Sequence, residues 1–136
     1  MSSFAQPTPS PLNLTLAGRT VLVIEDHEDS RDLLTSVLQS LQAHVVAVSN
    51  IDGAERELSL LRPHLIVCDM KLPDGTGLDF IKWLRKNRRG GMIPCIAITG
   101  RDDVFPATRT HGFDAYMQKP INLAKLSTVA VALAQR

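Results

Sequence analysis

Asp69 ends an unbroken apolar run, Leu65-Ile66-Val67-Cys68, and puts a carboxylate where packing asks for none. Glu25 and Asp26 end a second run, Val21 to Ile24, in the same way, and Thr99 and Lys119 follow two later apolar stretches. If these runs are adjacent parallel strands, their carboxyl ends share one edge of the sheet, the edge where open α/β folds bind ligands. Two carboxylates about 5 Å apart at an effective dielectric near 20 repel by roughly 3 kcal/mol, so three ionised together cost about 10 kcal/mol. A cation must offset that cost. Carboxylates completed by a backbone carbonyl and waters are the oxygen set that Mg²⁺ prefers. Lys119 adds a fixed positive charge, and a cation plus an ammonium beside a nucleophilic carboxylate suits the acceptance of a phosphoryl group. Asp69 is the candidate acceptor. The Thr99 hydroxyl can donate to a phosphoryl oxygen, and the small Gly100 beside it leaves room. Any one of these acids alone reads more readily as a turn residue or a helix cap. Jointly, at matching strand ends, they do not.

The elements that must position these groups alternate along the chain. A strand is predicted from about Thr20 to Glu25. A helix follows after Glu28 or Asp29, with Leu33, Leu34, Val37, Leu38 and Leu41 at helical spacing and facing the sheet. His44 to Val48 reads as a second strand, and Ile51, Ala54, Leu58 and Leu61 mark an amphipathic helix that Arg62-Pro63 ends. The third strand carries Asp69. Residues 71–77, Lys-Leu-Pro-Asp-Gly-Thr-Gly, read as a loop of turn residues, followed by a helix with Leu78, Ile81 and Leu84 inward. The basic run Arg85 to Arg89 suits a solvated helix end. A fourth strand, Ile93 to Ile98, presents Thr99, a fifth covers about Asp114 to Gln118, and a helix runs from Leu123 to Ala134. Pro106 leaves room only for a short fourth helix at about 106–111. Near-continuous apolar strands covered by helices predict an α/β fold. It is a flavodoxin-like, doubly wound parallel sheet of five strands in the order 2-1-3-4-5, with five helices, the fourth short.

These residues resemble the receiver domain of two-component response regulators over about residues 19–135. The likeness rests on Glu25-Asp26 after the first strand, Asp69 followed by Pro73 and Gly77, the Thr99-Gly100 pair, and Tyr116 three residues before Lys119-Pro120. It implies a receiver domain of residues 19–136 that takes a phosphoryl group on Asp69 from a histidine kinase or phosphotransfer protein. It also implies Mg²⁺ held by Glu25, Asp26, Asp69 and the backbone carbonyl of Lys71. Thr99, Gly100, Lys119 and Pro120 would form the phosphoryl-binding and switch set with Tyr116, and the Lys119-Pro120 bond would be cis, aiming the ammonium at Asp69. Output would be phosphorylation-dependent binding to an unknown downstream protein, with no enzymatic turnover beyond self-catalysed phosphotransfer and autodephosphorylation. A homodimer is compatible with this reading. The segments Leu16-Ala17-Gly18-Arg19 and Gly112 to Tyr116 look most like receivers of hybrid histidine kinases. Glu25 departs from the Asp of many such domains by one methylene. Lys71 and Arg101, two residues beyond Asp69 and Thr99, are expected to alter the access of water to a phosphorylated site.

Composition narrows the alternatives. A chain of 136 residues with 44% hydrophobic and 21% charged residues suits one globular domain, and no effector domain is expected within it. Residues 1–18 are expected to form a flexible tail, since 2–13 combine three prolines with small polar residues. A formal charge of +1 and 4% aromatic residues give no face for nucleic acid. No apolar stretch of about 18 residues and no signal-like start are present, so a cytoplasmic location without membrane attachment is expected. Cys68 and Cys95 sit in apolar strands and read as packing, and none of the four histidines reads as a ligand. A phosphohydrolase of the haloacid dehalogenase type needs a second Asp two residues past the nucleophile, where this chain has Lys71. A flavin binder would have its phosphate repelled by Glu25-Asp26-His27-Glu28-Asp29.

Overall fold

The structure, a computed structural model, describes residues 14–87, 90–100 and 112–136. In chain order the elements are β1 (Thr20–Ile24), α1 (Glu28–Ser40), β2 (His44–Val48), α2 (Ile51–Leu58), β3 (Leu65–Asp69), β4 (Lys71–Leu72), β5 (Gly75–Thr76), α3 (Gly77–Lys86), β6 (Cys95–Thr99), β7 (Ala115–Gln118) and α4 (Leu123–Ala134). Five strands form a parallel sheet in the order β2-β1-β3-β6-β7, the predicted 2-1-3-4-5 arrangement.

The sheet is buried on both faces, and strand residues divide by the period of two. Val21, Val23, Leu65, Val67, Ile96 and Ile98 pack under α1 and α4 with Leu34, Leu38, Leu126 and Ala130. Leu22, Ile24, Ile66, Cys68, Cys95 and Ala97 pack under α2 and α3 with Ala54, Leu58, Phe80, Ile81 and Leu84. Both cysteines are fully buried free thiols, and burial pushes that of Cys95 up to about 12. Polar side chains cap three of the four described helices, while His27 at the start of α1 makes no such bond. Asn50 caps α2, Asn122 caps α4, and Thr76 and Asp79 form a reciprocal capping box on α3.

Several details differ from the expectations. β1 ends at Ile24, one residue before Glu25, and β6 starts at Cys95 rather than Ile93. Pro94 has no N–H to offer the ladder, although its carbonyl accepts from Ile66 N at 2.9 Å. The helical segment at 51–61 is α-helical only to Leu58. The expected loop at 71–77 contains a small antiparallel pair, Lys71 with Thr76 and Leu72 with Gly75, which turn-rich composition hides. Leu33 does not face the sheet but is 48% exposed, one position off the buried Leu34 and Leu38 stripe. Leu16, N-terminal to the expected boundary at residue 19, is fully buried, and its N–H donates to the Leu41 carbonyl. The described residues contain four helices; the expected short fourth helix at 106–111, Arg101, and the composition-based tail at 2–13 lie outside them.

Arg85 is not a solvated helix end. Its guanidinium donates to the carbonyls of Gly112 at 2.6 and 2.9 Å, Gly91 at 3.1 Å and Ile93 at 2.7 Å, and to Asp114 Oδ2 at 3.2 Å. Asp114 Oδ2 also accepts from Cys95 N at 2.8 Å, so one fork ties the end of α3 to the approaches of β6 and β7. A lysine has the charge but not the planar fork. Arg85→Lys should therefore cost roughly 1–3 kcal/mol, by leaving carbonyls unpaired. Urea unfolding measures this; wild-type stability in the variant would contradict the role given to Arg85.

Candidate functional site

The parallel register brings the sequence-predicted groups to one edge. Ile24 pairs with Cys68, so the next residues, Glu25 and Asp69, leave the sheet side by side. Asp69 pairs with Ile98, and Thr99 pairs with Gln118, one residue before Lys119. Backbone bonds carry the order past the strand ends: Glu25 N to Val48 O at 3.0 Å, Met70 N to Ile98 O at 3.0 Å, and Lys119 N to Thr99 O at 2.7 Å. The Lys119-Pro120 bond is cis, as the resemblance implies.

The charges are concentrated and mostly dry. Glu25 is 0% and Asp69 5% exposed, while Asp26 is exposed. Lys119 Nζ lies 3.1 Å from Asp69 Oδ2 and 3.1 Å from Glu25 Oε1, so one ammonium serves two buried carboxylates. Glu25 Oε2 accepts from His27 N at 3.0 Å. Oε1 is buried against the Lys119 ammonium. Burial first, and then the neighbouring Asp69 carboxyl, push the pKa of Glu25 up to about 7 against the pull of His27 N–H and Lys119. Burial works against the charge on Lys119, but its bonds to Asp69 and Glu25 outweigh this and hold its pKa above the ordinary value. One carboxylate oxygen from each of Glu25, Asp26 and Asp69 lies within 4.8 Å of the others. This all-oxygen donor set, with two of its three carboxylates buried, fits a hard divalent cation.

Glu25, Asp26, Asp69, Lys71, Gly100 and Lys119 line one cleft of about 310 Å³ together with His27 and Ser30. The Lys71 N–H donates to Asp69 Oδ1 at 3.2 Å, and the Lys71 residue is exposed. Thr99 ends β6 in a buried position, its hydroxyl 3.5 Å from the Met117 carbonyl. Tyr116 is not in the cleft. It is half-buried on β7, edge-on to Phe113 with ring centroids 5.8 Å apart, on the α2 and α3 side of the sheet. Pro120 lies in a neighbouring apolar depression of about 580 Å³ with Ser30, Leu33, Gly100, Lys119 and Ile121.

Three supports of the cleft escape a sequence reading. Arg31 Nη1 donates to the carbonyls of Glu25 at 3.0 Å and Asp26 at 3.2 Å, clamping the turn that carries both acids. The only signal for it is an arginine one turn into the helix after an acidic pair. Asp74, read as a turn residue, accepts from the first two N–H groups of α2. Gly77, quoted only as part of a pattern, allows a close approach: a Cβ there would lie 2.7 Å from Met70 Sδ and 2.9 Å from Asp69 O. Any larger residue would push α3 off the end of β3.

Known proteins resemble this chain in sequence and fold. The family described as the response regulator receiver domain matches residues 21–131. An uncharacterised 14.6 kDa protein encoded in the sodA1 3′ region of Leptolyngbya boryana is 35% identical over 117 residues, covering 82% of this chain and 87% of that protein. The phosphate regulon transcriptional regulatory protein PhoB of Klebsiella pneumoniae is 32% identical over 121 residues, covering 88% of this chain but 53% of PhoB, so the chain spans about half of that relative. Among solved structures, the receiver domain of a sensor histidine kinase from Pseudomonas aeruginosa, with a magnesium ion coordinated in its active site cleft, superposes with a TM-score of 0.76 at 24% identity, covering 88% of this chain and 100% of that domain. Fold and sequence likeness agree, and the chain belongs to the response regulator receiver domain family.

Proposed function

We propose that this chain is a phosphoacceptor signalling domain in which Asp69 takes a phosphoryl group from a phosphohistidine on a histidine kinase or phosphotransfer protein. The observation that carries the reading is the convergence of the buried Glu25 and Asp69 carboxylates on one ammonium, beside the Asp26 carboxylate. An Asp69 oxygen attacks phosphorus, the N–P bond to imidazole breaks, and the leaving nitrogen takes a proton. Lys119, already on Asp69 Oδ2, stays against the charge that builds on the phosphoryl oxygens. Thr99 donates its hydroxyl to the new phosphoryl group instead of to Met117, and Tyr116, on the neighbouring strand, follows that movement. Gly100 lines the cleft beside Lys119 and leaves room for the phosphoryl oxygens.

Glu25, Asp26, Asp69 and the Lys71 carbonyl would hold Mg²⁺, which supplies charge neutralisation and orientation for the incoming phosphoryl group. The magnesium reported in the Pseudomonas aeruginosa kinase receiver supports this ion. The apolar depression beside Lys119, with the half-exposed Leu33, supports a protein as the phosphoryl donor, because a small phosphodonor has no use for it. Output is binding to a downstream protein. No described helix is long and apolar enough to cross a membrane, and a cytoplasmic location belongs to this reading.

Incubation with acetyl phosphate and Mg²⁺ should add the mass of one phosphoryl group to wild type and none to Asp69→Asn; equal gain in both would overturn the assignment. Glu25 keeps its proton to about pH 7 in the fold against an ordinary value of 4.5, so metal-free protein should lose stability as pH rises through that window. Magnesium needs the ionised form, so its stabilisation should be larger at pH 8 than at pH 5.5, as thermal unfolding with and without the ion would reveal. Magnesium that stabilises equally at both values would speak against Glu25 as a ligand. Leu33→Glu should slow phosphorylation by a protein donor by about tenfold or more while leaving the acetyl phosphate reaction unchanged. Equal rates with the protein donor would remove the depression from the docking surface.

A further inference from the structure

The acceptor loop is fastened to a helix that contributes nothing to the cleft. Asp74 Oδ1 accepts from Ile51 N and Oδ2 from Asp52 N, each at 2.9 Å, so one carboxylate spans the first two N–H groups of α2. The helix has its own cap, since Asn50 Oδ1 accepts from Gly53 N at 2.7 Å. Asp74 is thus a second, long-range cap, and the attachment works in both directions. Two N–H donors and the positive end of the helix favour its charge. The same two backbone bonds hold its carboxyl below the usual carboxylate range. Gly75 presses the tip onto the helix, where a Cβ would come 2.9 Å from Ile51 Cδ1.

From this anchor the order runs back to the acceptor without a gap. Leu72 pairs with Gly75 and Lys71 with Thr76, and the Lys71 N–H donates to Asp69 Oδ1 at 3.2 Å. Gly77 N donates to Met70 O at 2.9 Å, closing the base of the loop beside β3. Without the anchor, a segment rich in glycine and with one proline would sample many arrangements of the Lys71 main chain.

We infer that Asp74 is a positioning residue for phosphoryl acceptance: it fixes the tip of the β4–β5 pair on α2 and so holds the Lys71 main chain against Asp69. This rests on Asp69 being the acceptor. The test compares full-length wild type, Asp74→Ala, Asp74→Asn and Asn50→Ala. Two readouts are needed: the acetyl phosphate rate across a magnesium titration, and hydrogen exchange of the Lys71 amide in metal-free protein. Asp74→Ala should slow phosphorylation and weaken magnesium binding by about tenfold, the scale seen when partners that orient metal ligands are removed. It should also speed Lys71 exchange. Asp74→Asn, which keeps one accepting oxygen, should fall between. Asn50→Ala removes a cap from the same helix without touching the loop and should leave both readouts at wild-type values. Wild-type rates and Lys71 protection in both Asp74 variants would overturn the inference, as would an equal loss in Asn50→Ala. If wild type itself gains no phosphoryl group, the functional reading fails separately, and unchanged Lys71 exchange in the Asp74 variants would still overturn the tie.

Discussion

Two buried carboxylates sharing one ammonium is the interaction around which this molecule is arranged. Glu25 and Asp69 are both held out of water, and Lys119 stands 3.1 Å from each. One positive charge cannot satisfy two negative ones in a dry setting, so the cleft has an unmet demand for positive charge. The raised pKa of Glu25 expresses that demand in protons, since burial and the Asp69 carboxyl together favour its neutral form. A hard cation meets the same demand without neutralising the ligand.

Such a concentration of charge persists only on a rigid support. The sheet provides one, because β1, β3 and β6 are covered on both faces and their register fixes where each chain leaves the sheet. The two poles are secured differently. At the amino ends of β6 and β7, Arg85 and Asp114 gather three segments through backbone carbonyls and one N–H. At the carboxyl ends, Arg31 clamps the acidic turn, Gly77 lets α3 start against Asp69, and Asp74 ties the β4–β5 loop to α2. His64 adds a similar tie near the start of β1, its Nδ1 accepting from Thr20 N at 3.0 Å. Side chains bonded to the main chain of distant segments therefore set the loop geometry on which the cleft depends.

The fold class, the strand order and the identity of the charged groups at the sheet edge were legible in the sequence. Apolar runs that end in a polar residue carry their own signal, since burial on both faces of a parallel strand demands unbroken Val, Ile and Leu. The polar residue that follows must then serve a site. Tertiary structure decided what depends on direction and distance. Leu33 belongs to the apolar repeat of α1, yet the helix turns it outward beside the cleft, because one position of a helical repeat is worth about 100° of rotation. Arg85 reads as one of a basic run, and only the return of residues 112–114 to the end of α3 gives it carbonyls to hold. Asp74 reads as a turn residue, and becomes a helix cap only because the β4–β5 loop passes over α2. Periodicity records which residues must be buried, a property of the local chain, whereas a hydrogen bond between segments twenty or more residues apart exists only once the sheet has brought them together.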